Sequence, residues 1–222
     1  LSKSKKGSKF ERDTCRKLSL WFSHGKRDDI FWRTAGSGAR ATVRAKSGKM
    51  TADSAGDISA IDEKAKPFTA VSIWELKRGY TSKRGTYGSI SILSIVDKLS
   101  KEKDPILVEW SKKLHRELKT HKRKYGFIVF QRDRKNPCIA MGAETFKELK
   151  LKNKKKYYWP PFGPTCKVYT RKVDLVLMLF DEFLEWCEPE TITRKITRRQ
   201  KGFPYEQLKP LDRRRKIKRR KL

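Results

Sequence analysis

Apolar residues first recur with helical spacing behind Ser8: Phe10, Thr14, Leu18, Trp21 and Phe22 return every three to four positions. Ser8 and Glu11 have the Ser-x-x-Glu form of a capping box, so the spacing predicts a helix over 8–22, ended near Gly25. Residues 30–34 read as a short strand, the glycines around Ser37 as a loop, and the polar stretch over 40–56 as a segment either mobile or ordered only on its ligand. Alternation then takes over at 57–61 and 68–77. On the second strand Val71, Ile73, Glu75 and Lys77 fall on one side and Ala70, Ser72, Trp74 and Leu76 on the other. With a turn at 62–67, the two strands read as an antiparallel hairpin. A helix is expected over 90–99, and a stronger one opens at Asp104 and Pro105, with Asp104 as cap and Leu107, Trp110, Leu114 and Leu118 as its apolar stripe. A hairpin over 126–141, a helix over 143–152, strands near 168–169 and 175–180, and a helix over 182–187 capped by Asp181 complete the pattern. Trp21, Trp32, Trp74 and Trp110 all fall on faces expected to be buried.

Apolar periodicity stops at Ile192. The remaining segment carries fourteen Lys or Arg against Glu206 and Asp212. The expected organisation is therefore one folded domain over 1–190, with a core at about 7–142, and a basic tail over 191–222 that stays flexible when free. Over the 222 residues, 56 Lys and Arg against 25 Asp and Glu give a net charge of +31, which no soluble core requires and which points to a polyanion. The longest apolar run, Leu175 to Phe180, is far short of a membrane span, and no hydrophobic stretch follows the first basic residues. The expected location is a reducing compartment, the cytoplasm of a bacterial, archaeal or phage-infected cell. Cys15, Cys138, Cys166 and Cys187 lack the spacing of a zinc site and read as buried or half-buried thiols.

Chemistry concentrates where charge interrupts an apolar strand. Glu75 and Lys77 share a face with Val71 and Ile73, a face that should be buried, and Asp57 opens the strand expected beside them. Two carboxylates brought together repel unless a cation lies between them, and the natural occupant is a hard divalent ion, Mg²⁺ or Mn²⁺. A metal held there would bind a phosphate oxygen and activate water, with Lys77 beside the attacking water or the oxyanion. Phosphodiester hydrolysis follows, and the basic excess agrees with it. Glu11 has a plainer reading as a capping-box member, yet it borders the buried stripe with Cys15, Leu18 and Phe22. Asp53 is a rival to Asp57. Lys112, Arg116, Lys119 and Arg123 form a basic stripe that reads either as a solvated helix face or as a set of phosphate contacts.

Glu11 in a first helix, a Gly-Ser-Gly loop after a strand, Gly56 with Asp57 and Ile58, and Glu75-Leu76-Lys77 together resemble the PD-(D/E)XK nuclease superfamily. Within it they resemble most the archaeal Holliday junction resolvases and their phage and bacterial relatives. The resemblance implies an α/β fold, a mixed central β-sheet flanked by helices, and a metal-dependent endodeoxyribonuclease, structure-selective and resolvase-like. It implies Glu11, Asp57 and Glu75 as metal ligands, Lys77 as the catalytic lysine, and Ser37 as the counterpart of the resolvases' loop serine. Arg33, Arg40 and Arg44 join Ser37 and the basic stripe as expected contacts to branched or duplex DNA, and a homodimer would act on two strands. The name-giving proline is replaced by Gly56. The alternative is a non-catalytic, basic nucleic-acid-binding protein, which would have no reason to place clustered carboxylates on a phosphate-facing surface.

Overall fold

The computed structural model describes residues 3–34, 55–79, 104–153, 166–169 and 174–194. The expected helix at 90–99, the loop and basic stretch containing Ser37, Arg40, Arg44 and Asp53, and the tail lie outside the described residues. Helix α1 spans Lys3–Phe22 and is followed by the short strands β1, Phe31–Arg33, and β2, Ile58–Ala60. A 3-10 turn over Glu63–Ala65 and helix α2, Lys66–Val71, lead into β3, Ser72–Arg78. Helix α3, Ile106–Thr120, precedes β4, Tyr125–Gln131, and β5, Cys138–Gly142. Then come α4, Ala143–Lys152; β6, Cys166–Tyr169; β7, Asp174–Leu179; α5, Phe180–Trp186; and α6, Pro189–Thr193.

The main sheet has five described strands in the order β3-β4-β5-β7-β6. Among them only β3 and β4 run parallel, in register Glu75 to Ile128 and Lys77 to Phe130, and the other neighbours are antiparallel. A parallel pair needs a long crossover, and α3 lies within it. This helix covers one face: Leu107, Trp110 and Leu114 pack with Ile73, Ile128 and Phe130. Its approach is close, since a Cβ at Gly126 would lie 2.8 Å from side-chain carbons of both Leu114 and Leu118. On the opposite face Trp74 stacks on Phe127 with centroids 4.3 Å apart, within a core that takes Leu18 from α1, Phe68 from α2, Phe146 from α4 and Phe183 from α5. The expected mixed sheet flanked by helices is the observed one, and the β4–β5 hairpin and α4 fall where the pattern placed them.

Three local expectations are corrected. β2 does not pair with β3 in a hairpin; it pairs antiparallel with β1, and residues 66–71 are helical rather than the start of a strand. Pro67 sits in the first turn of α2, where its missing N–H costs nothing, and Phe68 then reaches the core. The capping box and the other caps also move. Ser8 and Glu11 both lie inside α1, so no cap ties them. At the start of α3, Pro105 occupies the cap position and Asp104 pairs with Lys112 instead. Asp181 stands in the first turn of α5 without capping it. Trp32, expected in the core, is 49% exposed on the outer face of the β1–β2 ribbon, and Ile61 beside it is 60% exposed. Among the described residues no helix is long and apolar enough to cross a membrane, and Cys15, Cys138 and Cys187 are free thiols.

Candidate active site

β3 ends the row of described strands in the main sheet, so its outer side is open to other parts of the chain, and the segment entering β2 uses it. The Asp57 amide donates to the Trp74 carbonyl at 2.8 Å, and Asp57 Oδ2 accepts from the Leu76 amide at 2.7 Å. Asp57 is thereby pinned by backbone on both sides of Glu75. Gly56 makes this docking possible. Its φ of +78° is a left-handed conformation, and a Cβ there would meet the Trp74 carbonyl oxygen at 2.8 Å. Proline, with φ fixed near −65°, cannot occupy this position.

Alternation along β3 turns Glu75 and Lys77 toward α3, as the sequence pattern requires. Glu75 is 4% exposed. Lys77 Nζ donates to Glu75 Oε2 at 2.5 Å and lies 3.6 Å from Asp57 Oδ2, so one ammonium serves the buried Glu75 and the half-buried Asp57 carboxylates. Burial, followed by the charge of Glu75, pushes Asp57 above the ordinary aspartate range, against the pull of Lys77 and the Leu76 amide. Burial acts upward on Glu75 too, but the attraction of Lys77, with help from Lys113, outweighs it and holds this carboxyl below its usual value.

α3 adds two residues that the sequence pattern did not single out. Lys113 Nζ lies 3.3 and 3.4 Å from the two oxygens of Glu75 and 3.2 Å from Glu117 Oε1. Glu117 Oε2 is buried and meets no donor among the described residues. Burial, and then the neighbouring Glu75 charge, push Glu117 up to about 7, against the pull of Lys113. A signal for both was present: 113 and 117 sit one turn apart on the flank of the Leu107, Trp110, Leu114 and Leu118 stripe, as a pair that borders the core rather than crowning the solvent face.

Glu11 is not in contact with the other acids. Its carboxylate faces Arg33, whose Nη1 lies 3.6 Å from Glu11 Oε2 and 3.1 Å from Ser8 Oγ. Its charge still reaches Asp57, as the smallest of the influences there. The basic stripe is split. Lys112 is engaged by Asp104, Arg123 donates to the Thr69 carbonyl at 2.5 Å, and Arg116 and Lys119 lie on the outer side of α3. Arg116 and Lys112 line a cavity of about 460 Å³ with His115 and Asp174, on the other flank of the helix from Lys113.

Among the described residues no three His, Cys, Asp or Glu side chains converge as a ready metal cage. The donor set nonetheless suits a hard cation: Asp57 and Glu75 offer carboxylate oxygens around a point where an ammonium already stands, and the orphaned Glu117 oxygen belongs to the carboxyl next to Glu75.

An aspartate docked on the edge of a strand that carries Glu-x-Lys, in a mixed sheet with helices on both faces, defines a nuclease of the PD-(D/E)XK class. Residues 2–194 match the family described as phage putative PDDEXK endonuclease, and the chain belongs to that family. It is accordingly a nuclease acting on nucleic acid, in a class that works with divalent metal ions. No curated protein and no solved structure matches the chain.

Proposed function

We propose that this endonuclease hydrolyses DNA phosphodiester bonds at Asp57, Glu75 and Lys77, with Mg²⁺ or Mn²⁺ held by the two carboxylates and Glu11 as an outlying ligand. The observation that carries the reading is the single Lys77 ammonium bound to both acids inside a basic protein, since a surface built only to bind phosphate gains nothing from buried carboxylates. When bound, the divalent ion supplies charge stabilisation at the phosphoryl oxygen and a lowered water pKa. The chain supplies the rest. Two backbone hydrogen bonds preorganise Asp57, so little ligand ordering remains to be done on binding. Glu75 orients Lys77, whose side chain is 16% exposed at the rim and can donate to the attacking water or to the departing oxyanion. Arg33 holds Glu11 on the Asp57 side of α1, and Arg33, Arg116 and Lys119, with Ser37, Arg40 and Arg44, are the proposed phosphate contacts.

A structure-selective, resolvase-like preference for branched DNA is supported by the ribbon that carries Asp57. Trp32 and Ile61 share its outer face, and Ser59, the cross-strand partner of Trp32, is two residues from Asp57. An exposed indole so close to the reacting phosphate offers a stacking platform to bases unpaired at a junction, which a continuous duplex does not present. A four-way junction would call for a homodimer, so that two strands are cut. Labelled junction, flap and duplex DNA incubated with Mg²⁺ test the preference: faster cleavage of a branched substrate supports it, and equal rates on all three shapes contradict it. Glu75→Ala and Lys77→Ala in the same series test the site.

A further inference from the structure

Of the two lysines that meet Glu75 among the described residues, Lys113 is the more exchangeable. Lys77 is mostly buried and bound to Glu75 at 2.5 Å, whereas the Lys113 side chain is 51% exposed and its contacts to Glu75 are 3.3 and 3.4 Å. Its four-carbon stem leaves α3 at the rim of the site, so it can swing into solvent without uncovering the core. With both ammoniums in place, the carboxylates of Asp57 and Glu75 are already neutralised, and a divalent ion arriving between them would face two positive neighbours at short range. One cation has to yield, and Lys113 is the one held more loosely.

We propose that Lys113 is a placeholder cation, a positioning residue that neutralises Glu75 and Glu117 in the metal-free protein and is displaced by the arriving divalent ion to meet a substrate phosphate. This rests on the proposed metal site at Asp57 and Glu75. It makes metal binding and DNA binding mutually reinforcing, because each favours the position of Lys113 that the other needs.

The test measures Mn²⁺ binding by electron paramagnetic resonance, without DNA, for the wild type, Lys113→Met and Lys113→Arg. Removal of the competing charge should tighten Mn²⁺ binding about three- to fivefold in the Met variant, the range a half-exposed ion pair allows, while Arg restores the wild-type value. A purely structural role for Lys113 would move the affinity the other way, because a loosened α3 would disorder Glu75. Equal or weaker binding by Lys113→Met overturns the proposal. Absence of Mn²⁺ binding by the wild type overturns the metal site itself, and the two failures are thus distinct. The second readout is duplex affinity by fluorescence anisotropy in EDTA and in Ca²⁺. The gain on adding Ca²⁺ should be about threefold smaller for Lys113→Met than for wild type, in line with one exposed ion pair, and an equal gain overturns the transfer to phosphate.

Discussion

Gly56→Ala is the substitution that most sharply separates backbone geometry from chemistry. The new methyl meets two costs. A φ of +78° is left-handed, which costs a residue with a Cβ about 1–2 kcal/mol. The methyl would also lie 2.8 Å from the Trp74 carbonyl oxygen, 2.9 Å from Ile73 Cγ2 and 3.1 Å from the Trp74 amide nitrogen. Two of these neighbours are backbone atoms of β3, which is paired with β4 along its length and cannot give way, so overpacking adds about 1–3 kcal/mol. Gly25 is the internal control: its φ is +84° but a Cβ there meets nothing within 4 Å, so Gly25→Ala carries the conformational cost alone. At roughly 2–4 °C per kcal/mol for a domain of this size, thermal unfolding should place Gly25→Ala roughly 2–8 °C below wild type and Gly56→Ala, with about 2–5 kcal/mol in total, roughly 4–20 °C below it. If the ribbon shifts to relieve the clash, Asp57 loses its bond to the Leu76 amide, and cleavage should fall at least about tenfold at temperatures where the variant is folded. A Gly56→Ala protein as stable as Gly25→Ala, or one that cuts at the wild-type rate, would refute the claim that close approach at Gly56 sets Asp57 in place.

Asp57→Asn should abolish cleavage while DNA affinity stays equal or rises, because a ligand and a negative charge near phosphates are removed together; gel-shift and cleavage assays on one preparation check this. Glu117 binds its proton more tightly folded than unfolded. Its contribution to stability is therefore full below the ordinary value of 4.5 and is lost as pH climbs to about 7, so in metal-free buffer Glu117→Gln should gain on wild type across that window and hold a constant advantage above it in chemical denaturation. Thr191 and Ile192 are buried, so the tail is best removed after Arg194 rather than at residue 190. That truncation should weaken binding to every DNA shape and reduce the logarithmic salt slope by roughly 0.9 for each phosphate the shortened protein no longer neutralises, without moving the cut positions.

What the sequence made legible was charge out of place. Glu75 and Lys77 stand at strand period inside an apolar run, and that pattern puts both on one face expected to be buried; that α3 is the helix covering it came only with the fold. Asp57 was legible as their neighbour but not the route by which it arrives. Residues 66–71 hold Phe68 and Val71 at positions that suit a strand as well as one helical turn, and periodicity over six residues cannot separate the two. β1 has only three residues, so alternation alone did not decide which side Trp32 faces, and the exposed outer face of a two-stranded ribbon has no counterpart in local pattern. Glu11 looked like a cap because Ser8 precedes it by one turn; the helix instead starts earlier, and Ser8 and Glu11 share Arg33. Lys113 and Glu117 border the apolar stripe of α3 by their spacing, but their meeting with Glu75 depends on the tertiary approach of α3 to β3, which local pattern does not carry.

The measurement closest to the central claim is cleavage of labelled DNA by the purified protein, with Mg²⁺ and with EDTA, beside Glu75→Ala and Lys77→Ala proteins shown by thermal unfolding to be folded. The wild type should cut only with the metal, and both variants should cut at least about a hundredfold more slowly while still binding DNA. Cutting in EDTA, or wild-type rates in either variant, would contradict the assignment of the site.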